Sequence, residues 1–280
     1  MMQFIETLHA EYGQLFAVDR VIYRETTEHQ DLVIFENAIF GRVLALDGAI
    51  QTTERDNHIY HEMLVHVPIL AHGEAHEVLI VGGGDGGCLR EVMRHPVKSV
   101  TMVDLDRKVI DLSKEYLPSL SDGAFDDPRL NLVIDDGKAF VGQTDRRFDV
   151  IIVDSTDPVG PGAALYSPDF YAGCRRCLTD GGVMVTQNGV PLVQPDEVRD
   201  SYHALAALFA DVSFYLVPVP SYTGGALAVG WATDDMTLRK VDAETLAARL
   251  KATGFDTRYY SPAIHTASFA LPPELLAMLA

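Results

Sequence analysis

The run Val78-Leu79-Ile80-Val81 passes directly into Gly82-Gly83-Gly84-Asp85-Gly86-Gly87, and no other junction constrains the chain as much. Four apolar residues, three of them β-branched, predict a buried strand. The glycines that follow fit G-x-G-x-x-G, the pattern of a tight turn between a strand and a helix that lets a ligand approach the backbone closely. The rhythm then repeats. Ser99–Val103 ends at Asp104, Leu130–Ile134 at Asp135-Asp136 and Phe148–Val153 at Asp154, while Val183–Thr186 follows the turn Gly181-Gly182. Helical patterns, among them Arg107–Leu117 and Pro168–Leu178, separate these runs. Short continuous apolar strands alternating with helices predict an α/β fold with a mostly parallel, doubly wound sheet.

The first fifty-odd residues follow a different rule. Arg20–Tyr23, Asp31–Phe35 and Phe40–Leu46 read as short strands with turn signals between them, and Asp47-Gly48 is a two-residue hairpin signal. A small antiparallel β domain is therefore expected over residues 1–55. The doubly wound domain follows over 56–280, with residues 56–70 as a bridging helix.

Charge narrows the choice of partner. The 280 residues carry 40 Asp+Glu against 22 Lys+Arg, a formal net charge of −18, and no Lys/Arg cluster interrupts it. Nucleic acid and anionic membrane surfaces are thus disfavoured, and small cationic ligands are favoured. With 48% apolar and 22% charged residues the chain can bury a core, which excludes disorder. The N-terminal residues show no basic segment followed by an apolar one, and no stretch reaches the roughly 18 uncharged apolar residues of a membrane span. Three cysteines, Cys88, Cys174 and Cys177, are too few and odd in number for a disulfide framework. The expectation is a soluble, reduced, cytoplasmic protein.

The loop's own chemistry separates candidate ligands. Asp104 stands twenty residues after Gly84, at a strand end where a carboxylate can bind ribose hydroxyls. Dinucleotides and S-adenosyl compounds both use such a loop; a tight turn with a capping aspartate is the alternative without a ligand. A dinucleotide would set its pyrophosphate beside Asp85, and at about 4 Å with an effective dielectric near 20 the repulsion is about 4 kcal/mol per unit charge. Ordinary S-adenosylmethionine also brings a carboxylate to this region. An amine without a carboxylate suits Asp85 better.

In doubly wound sheets the ligand crevice lies at the carboxyl ends of the strands. Those ends carry Asp85, Asp104, Asp136 and Asp154, with Asp157 three residues on. Each alone reads as a cap or turn residue, but crowded together they repel unless a cation or hydrogen-bond donors compensate. No His/Cys pattern of metal spacing accompanies them. His61 and His66 are five residues apart, about 140° around a helix, and cannot clamp one ion together. Carboxylate-held magnesium stays open but has no dedicated motif, and an organic polycation is the better partner.

Gly82–Arg90 with Glu91-Val92, the run Tyr60-His61-Glu62-Met63, Gln51-Thr52-Thr53 and the loop Asp154-Ser155-Thr156-Asp157-Pro158-Val159-Gly160-Pro161 together resemble the spermidine synthase family of polyamine aminopropyltransferases, most closely its bacterial branch. The resemblance runs from Glu6-Thr7-Leu8-His9 to Pro262–Thr266, and the D-x-x-D-P-x-G-P loop is its most specific element. It implies a class I methyltransferase-like domain behind the small β domain, and homodimers or homotetramers. It implies transfer of the aminopropyl group of decarboxylated S-adenosylmethionine, a co-substrate, to putrescine, giving spermidine and methylthioadenosine, with no further cofactor and no metal. Asp154 then matches the catalytic aspartate, Asp157 a diamine-binding acid, and Asp85 the acid that holds the aminopropyl amine. Asp104 stands in place of the family's usual ribose-binding glutamate, one methylene shorter, which implies a rearranged or a water-mediated hydroxyl contact. Asp136 and Gly137 match the adenine-side pair, and Pro161 lies on the covering loop. Gln30, Tyr60, His61, Gln187 and Tyr222 match positions around the nucleoside and amine sites.

Other features read more plainly. Cys174-Arg175-Arg176-Cys177 falls late in a helical pattern and predicts helix packing rather than redox chemistry; Cys88 predicts a small buried side chain. Most of the ten histidines, His72 and His76 among them, are expected to face solvent. Tyr259-Tyr260 and His265 are expected to pack late in the chain, and Leu246 with Leu250 in the core. An amine N-methyltransferase, a non-catalytic polyamine sensor and, least favoured because of Asp85, a dehydrogenase are the alternatives.

Overall fold

A computed structural model describes residues 2–27 and 30–280, with the side chain of Pro161 outside that description. Two short strands, β1 (Met2–Ile5) and β2 (Leu15–Val18), pair antiparallel at the start. A four-stranded antiparallel meander follows, β3 (Arg20–Thr26), β4 (Asp31–Asn37), β5 (Gly41–Leu46) and β6 (Ala49–Thr53), with the Asp47-Gly48 turn between β5 and β6. Helix α1 (Asn57–His72) bridges to the larger body.

Next come β7 (Glu77–Gly82), α2 (Gly87–Met93), β8 (Ser99–Asp104), α3 (Arg107–Tyr116), α4 (Pro118–Ser121), β9 (Leu130–Ile134), α5 (Gly137–Gln143) and β10 (Phe148–Asp154). After them stand α6 (Pro168–Cys177), β11 (Leu178–Gln187), α7 (Pro195–Ala206), the hairpin β12 (Asp211–Pro218) and β13 (Ala226–Thr233), and three helices, α8 (Ala243–Thr253), α9 (Pro262–Ser268) and α10 (Pro273–Leu279). The second sheet has seven strands in the order β12-β13-β11-β10-β7-β8-β9. From β11 to β9 all pairings are parallel, whereas β13 is antiparallel to both its neighbours. The expected doubly wound α/β sheet is therefore present, with an antiparallel hairpin at one edge that the sequence reading did not include. A second difference concerns Gly181-Gly182. These residues lie inside β11, which begins at Leu178 and pairs with β10 across a register shift, so the strand starts five residues earlier than read.

Side-chain alternation along the parallel strands explains the layers. Val78, Ile80, Val150 and Ile152 join one core with Met63, Leu64 and Val67 of α1, while Leu79, Val81, Ile151 and Val153 join another with Phe170, Tyr171, Cys174 and Cys177 of α6. Both Cys174 and Cys177 are buried free thiols in that second core, as helix packing requires. The small sheet packs Leu32, Ile34, Leu44 and Leu46 against Val109 and Leu112 of α3, which brings its strands over the carboxyl ends of the large sheet.

Candidate active site

Strands β7, β8 and β10 end side by side, and their terminal residues open onto one pocket. Gly82 and Asp154 are register partners at the end of β7 and β10, and the Gly83 amide donates to the Asp154 carbonyl at 2.9 Å. Gly82 and Gly83 both have positive φ, and a Cβ on Gly82 would lie 2.1 Å from the Asp154 carbonyl oxygen, so the turn is open only to glycine here. The pocket is lined by Gln30, Tyr60, His61, Asp85, Asp104, Asp136, Gly137, Asp154, Asp157, Gln187 and Tyr222, residues of the seven-stranded sheet, of loops and of α1, with Leu44, Leu46, Ile50 and Gln51 of the four-stranded sheet beside them. Of the residues singled out from the sequence, the side chain of Pro161 alone falls outside the described residues. Its neighbours Gly162, Ala164 and Leu165, in a 3₁₀ turn over Gly160–Tyr166, form part of the pocket wall. The cationic side chains Lys and Arg are absent from the described lining.

Helix α1 delivers two of these groups. The Tyr60 hydroxyl donates to Asp154 Oδ1 at 2.7 Å, and His61 Nε2 stands 3.3 Å from Asp85 Oδ2. Asp85 is itself fixed by the Gly87 amide, which donates to Oδ1 at 2.8 Å at the start of α2. Burial works to raise the Asp85 carboxyl, but the His61 ring and the Gly87 amide hold it below the usual carboxylate range. Burial likewise disfavours a cationic His61, yet the neighbouring Asp85 charge outweighs it and the histidine's pKa rises. Asp154 goes the other way. Burial and then the Asp85 charge raise its pKa, against the opposing effect of His61 and of hydrogen bonds from Cys88 and Tyr60. The site thus holds an ionised aspartate and, next to it, one with raised proton affinity.

One half of the pocket is built from caps and turns. Asp104 Oδ1 accepts from the Asp106 amide at 2.9 Å, and its other oxygen lies where a Cβ on Gly84 would be 2.9 Å away. Burial, supplemented by the charges of Asp106 and Asp154, pushes its pKa to about 6. Asp136 caps α5 through the Ala139 amide at 2.9 Å. Gln30 Nε2 donates to Asp106 Oδ2 at 3.0 Å, tying the strand that begins at Asp31 to the start of α3. In the other half, Tyr222 spends its hydroxyl on the Gln51 carbonyl at 2.7 Å and sets its ring edge-on to Tyr60 at 5.8 Å. Gln187 Oε1 accepts from the Tyr166 hydroxyl.

Several site residues escaped the sequence reading. Glu6 lines the pocket, is 5% exposed, accepts from the Ile50 amide at 3.1 Å and from the Thr223 hydroxyl, and has a carboxyl raised by burial and by the Asp157 charge. Gln194 donates to Asp157 Oδ1 at 2.6 Å. Cys88 is buried as expected, and one ligand atom each from His61, Cys88 and Asp154 fall within 4.8 Å of one another. The histidine expectation fails. His66 and His95 are buried and His72 is half-buried, because ring–ring and carboxylate contacts enclose them, with His66 Nδ1 2.9 Å from His95 Nε2; His265, hydrogen-bonded to Tyr260, is buried in the late-chain packing expected for it. His76 alone of the two named faces solvent.

Comparison with known proteins covers the whole chain. The family model described as spermine/spermidine synthase domain matches residues 57–243, and that described as spermidine synthase tetramerisation domain matches residues 2–54. Polyamine aminopropyltransferase of Shigella sonnei (strain Ss046) is 57% identical over 279 residues, 99% of this chain and 97% of its own length. That of Serratia proteamaculans (strain 568) is 57% identical over 98% of this chain and 96% of its own. A crystal structure of spermidine synthase in complex with the transition state analogue AdoDATO superposes with a TM-score of 0.93 at 36% identity, over 99% of this chain and 94% of that one. Spermidine synthase from Thermotoga maritima gives 0.92 at 35% identity, over 100% and 94%.

Proposed function

The chain belongs to the spermine/spermidine synthase family, and from that premise we propose how its pocket performs the family's aminopropyl transfer. The enzyme moves the aminopropyl group of decarboxylated S-adenosylmethionine to putrescine, giving spermidine and methylthioadenosine. The methyltransferase and dehydrogenase alternatives fall with that assignment. Two cations must meet, and an alkylammonium with a pKa near 10.4 must lose a proton before it can attack, at a cost of about 4–5 kcal/mol at pH 7.

Asp154 is the base in this reading. Its raised proton affinity and its position at the junction of β7 and β10 support that role, and the 2.7 Å bond from Tyr60 holds its carboxylate in one orientation. The acceptor's ammonium passes a proton to Asp154 directly or through water; the neutral amine then attacks the carbon next to the sulfonium, the C–S bond breaks and sulfur keeps the electron pair. Asp85, kept ionised by His61, holds the ammonium of the aminopropyl chain. Gln30, Asp104, Asp136, Gly137 and Pro161 hold the nucleoside. Tyr60, His61, Asp157, Gln187 and Tyr222 form the acceptor side together with Asp85 and Asp154; a hydroxyl that donates a hydrogen bond to a neighbour can still accept a hydrogen bond from an ammonium. Glu6 lines the same pocket and feels the charge of Asp157, which supports a place for it on the acceptor side. The Gly160–Tyr166 turn covers the reacting centre and keeps water from the sulfonium.

The wider reading places the enzyme in the cytoplasm as a homo-oligomer, a tetramer by analogy with the matched tetramerisation domain, with small cations rather than nucleic acid or membrane as partners. No helix among the described residues is long and apolar enough to cross a membrane. Decarboxylated S-adenosylmethionine enters as co-substrate, and no step calls on a metal. The single observation that carries the mechanism is the Tyr60–Asp154–Asp85 arrangement. Asp154→Asn should lower kcat by orders of magnitude while methylthioadenosine still binds in calorimetry; near-normal turnover would remove Asp154 as the base.

A further inference from the structure

We infer that Gln194 is a positioning residue for acceptor specificity: it grips one oxygen of Asp157 with a neutral donor and leaves the other as a fixed anchor for the acceptor's ammonium. The inference rests on the assignment of Asp157 to the acceptor. Gln194 immediately precedes α7 and lines the pocket. Its amide is held at both ends. Oε1 accepts from the Val190 amide at 2.9 Å, and Nε2 donates to Asp157 Oδ1 at 2.6 Å. Turning the amide over would set donor against donor and acceptor against acceptor, so its direction is determined. The Gln194 backbone N–H also donates to the Val190 carbonyl at 2.8 Å, closing the turn.

The surroundings leave little freedom. A Cβ on Gly189 would come 2.5 Å from Gln194 Oε1 and 2.7 Å from Glu197 Oε2. Glu197 in turn accepts from Asn188 Nδ2 at 2.8 Å and from the Ser201 hydroxyl at 3.0 Å. Gln194 is therefore part of a bracket built from the end of β11 and the start of α7, outside the loop that carries Asp157.

The chemistry explains an amide at this position. Lysine or arginine would bind Asp157 more strongly but would cancel the charge that attracts an ammonium, and glutamate would repel Asp157. A neutral donor restrains the carboxylate and leaves its charge intact. The span between Asp157 and Asp154 then becomes a gauge of acceptor length, and a gauge works only if its end does not swing.

Steady-state kinetics with putrescine and cadaverine, donor KM measured alongside, test this. Gln194→Met should raise acceptor KM about tenfold to a hundredfold and shrink the preference between the two diamines about tenfold, with donor KM within about twofold. Gln194→Lys should raise acceptor KM further than Gln194→Met, and its reach to solvent keeps the test open if the methionine variant does not fold. Equal increases in donor and acceptor KM, an unchanged diamine preference, or a lysine variant that binds acceptor as well as wild type would each overturn the inference. Asp157→Asn separates the premise: if it leaves acceptor KM unchanged, the assignment of Asp157 fails, whereas a large effect there with none at Gln194 defeats the role of Gln194 alone.

Discussion

Asp104, which the proposed reading sets against the ribose, lines the pocket with its pKa raised to about 6 by burial and neighbouring charge. Its folded pKa lies above the unfolded value near 3.9, so the native chain binds more protons between the two. The favourable contribution is present below about pH 4 and is lost as pH rises through about 6, leaving the ionised group with a cost of about 2–3 kcal/mol at neutrality. Such a cost is tolerable for a group that accepts from a ligand. Asp104→Asn should therefore raise the melting temperature at pH 7 while weakening methylthioadenosine. Wild-type affinity, followed by calorimetry, should fall as pH is lowered through about 6 and the variant's should not; a flat wild-type profile would contradict the role. Asp85, Asp104 and Asp154 were legible as site residues because the end of a strand is a local property of the sequence. Glu6 and Gln194 were not: their partners, Thr223 and Asp157, lie 217 and 37 positions away, and nothing near either residue marks the meeting.

Helix α1 shows how one element serves the site and the fold at once. Successive residues on a helix point about 100° apart, and Tyr60, His61 and Glu62 use that spread to reach three different targets. Tyr60 meets Asp154, His61 meets Asp85, and the buried Glu62 accepts from the amides of Arg258 and Tyr259 at 2.8 Å and of Tyr260 at 2.7 Å. Three donors on one carboxylate anchor the C-terminal segment to the helix that presents the pocket residues. Glu62→Gln turns an amide donor towards amide donors and should cost about 2–4 kcal/mol in urea unfolding, with faster hydrogen exchange at Arg258–Tyr260 than elsewhere; unchanged exchange there would refute the anchor. The run containing Tyr60 and Glu62 was visible as a helix, yet an anchor to residues almost two hundred positions on was not. Nor was the hairpin of β12 and β13, whose antiparallel pairing depends on the edge that β11 offers. The parallel strands, by contrast, announce themselves by continuous apolar runs that need burial on both faces.

The molecule as a whole leaves apolar side chains uncovered at its N-terminal sheet. Met2, Ile5, Tyr12 and Leu15 are each more than half exposed, within the region matching a tetramerisation domain. Ile5→Asp with Leu15→Asp should shift the enzyme to smaller species in sedimentation velocity while the far-ultraviolet dichroism of the larger domain persists; an unchanged sedimentation coefficient would place the subunit contact elsewhere. The net charge of −18 is read differently once the pocket is known, because most acids lie outside it and the lining concentrates acids without Lys or Arg. At the centre, the glycine turn and Asp154 close two neighbouring strands of one parallel ladder, joined by the bond between the Gly83 amide and the Asp154 carbonyl. In the proposed reaction the spacing between the two reactants is therefore a lattice constant of the sheet, laid down when the chain folds.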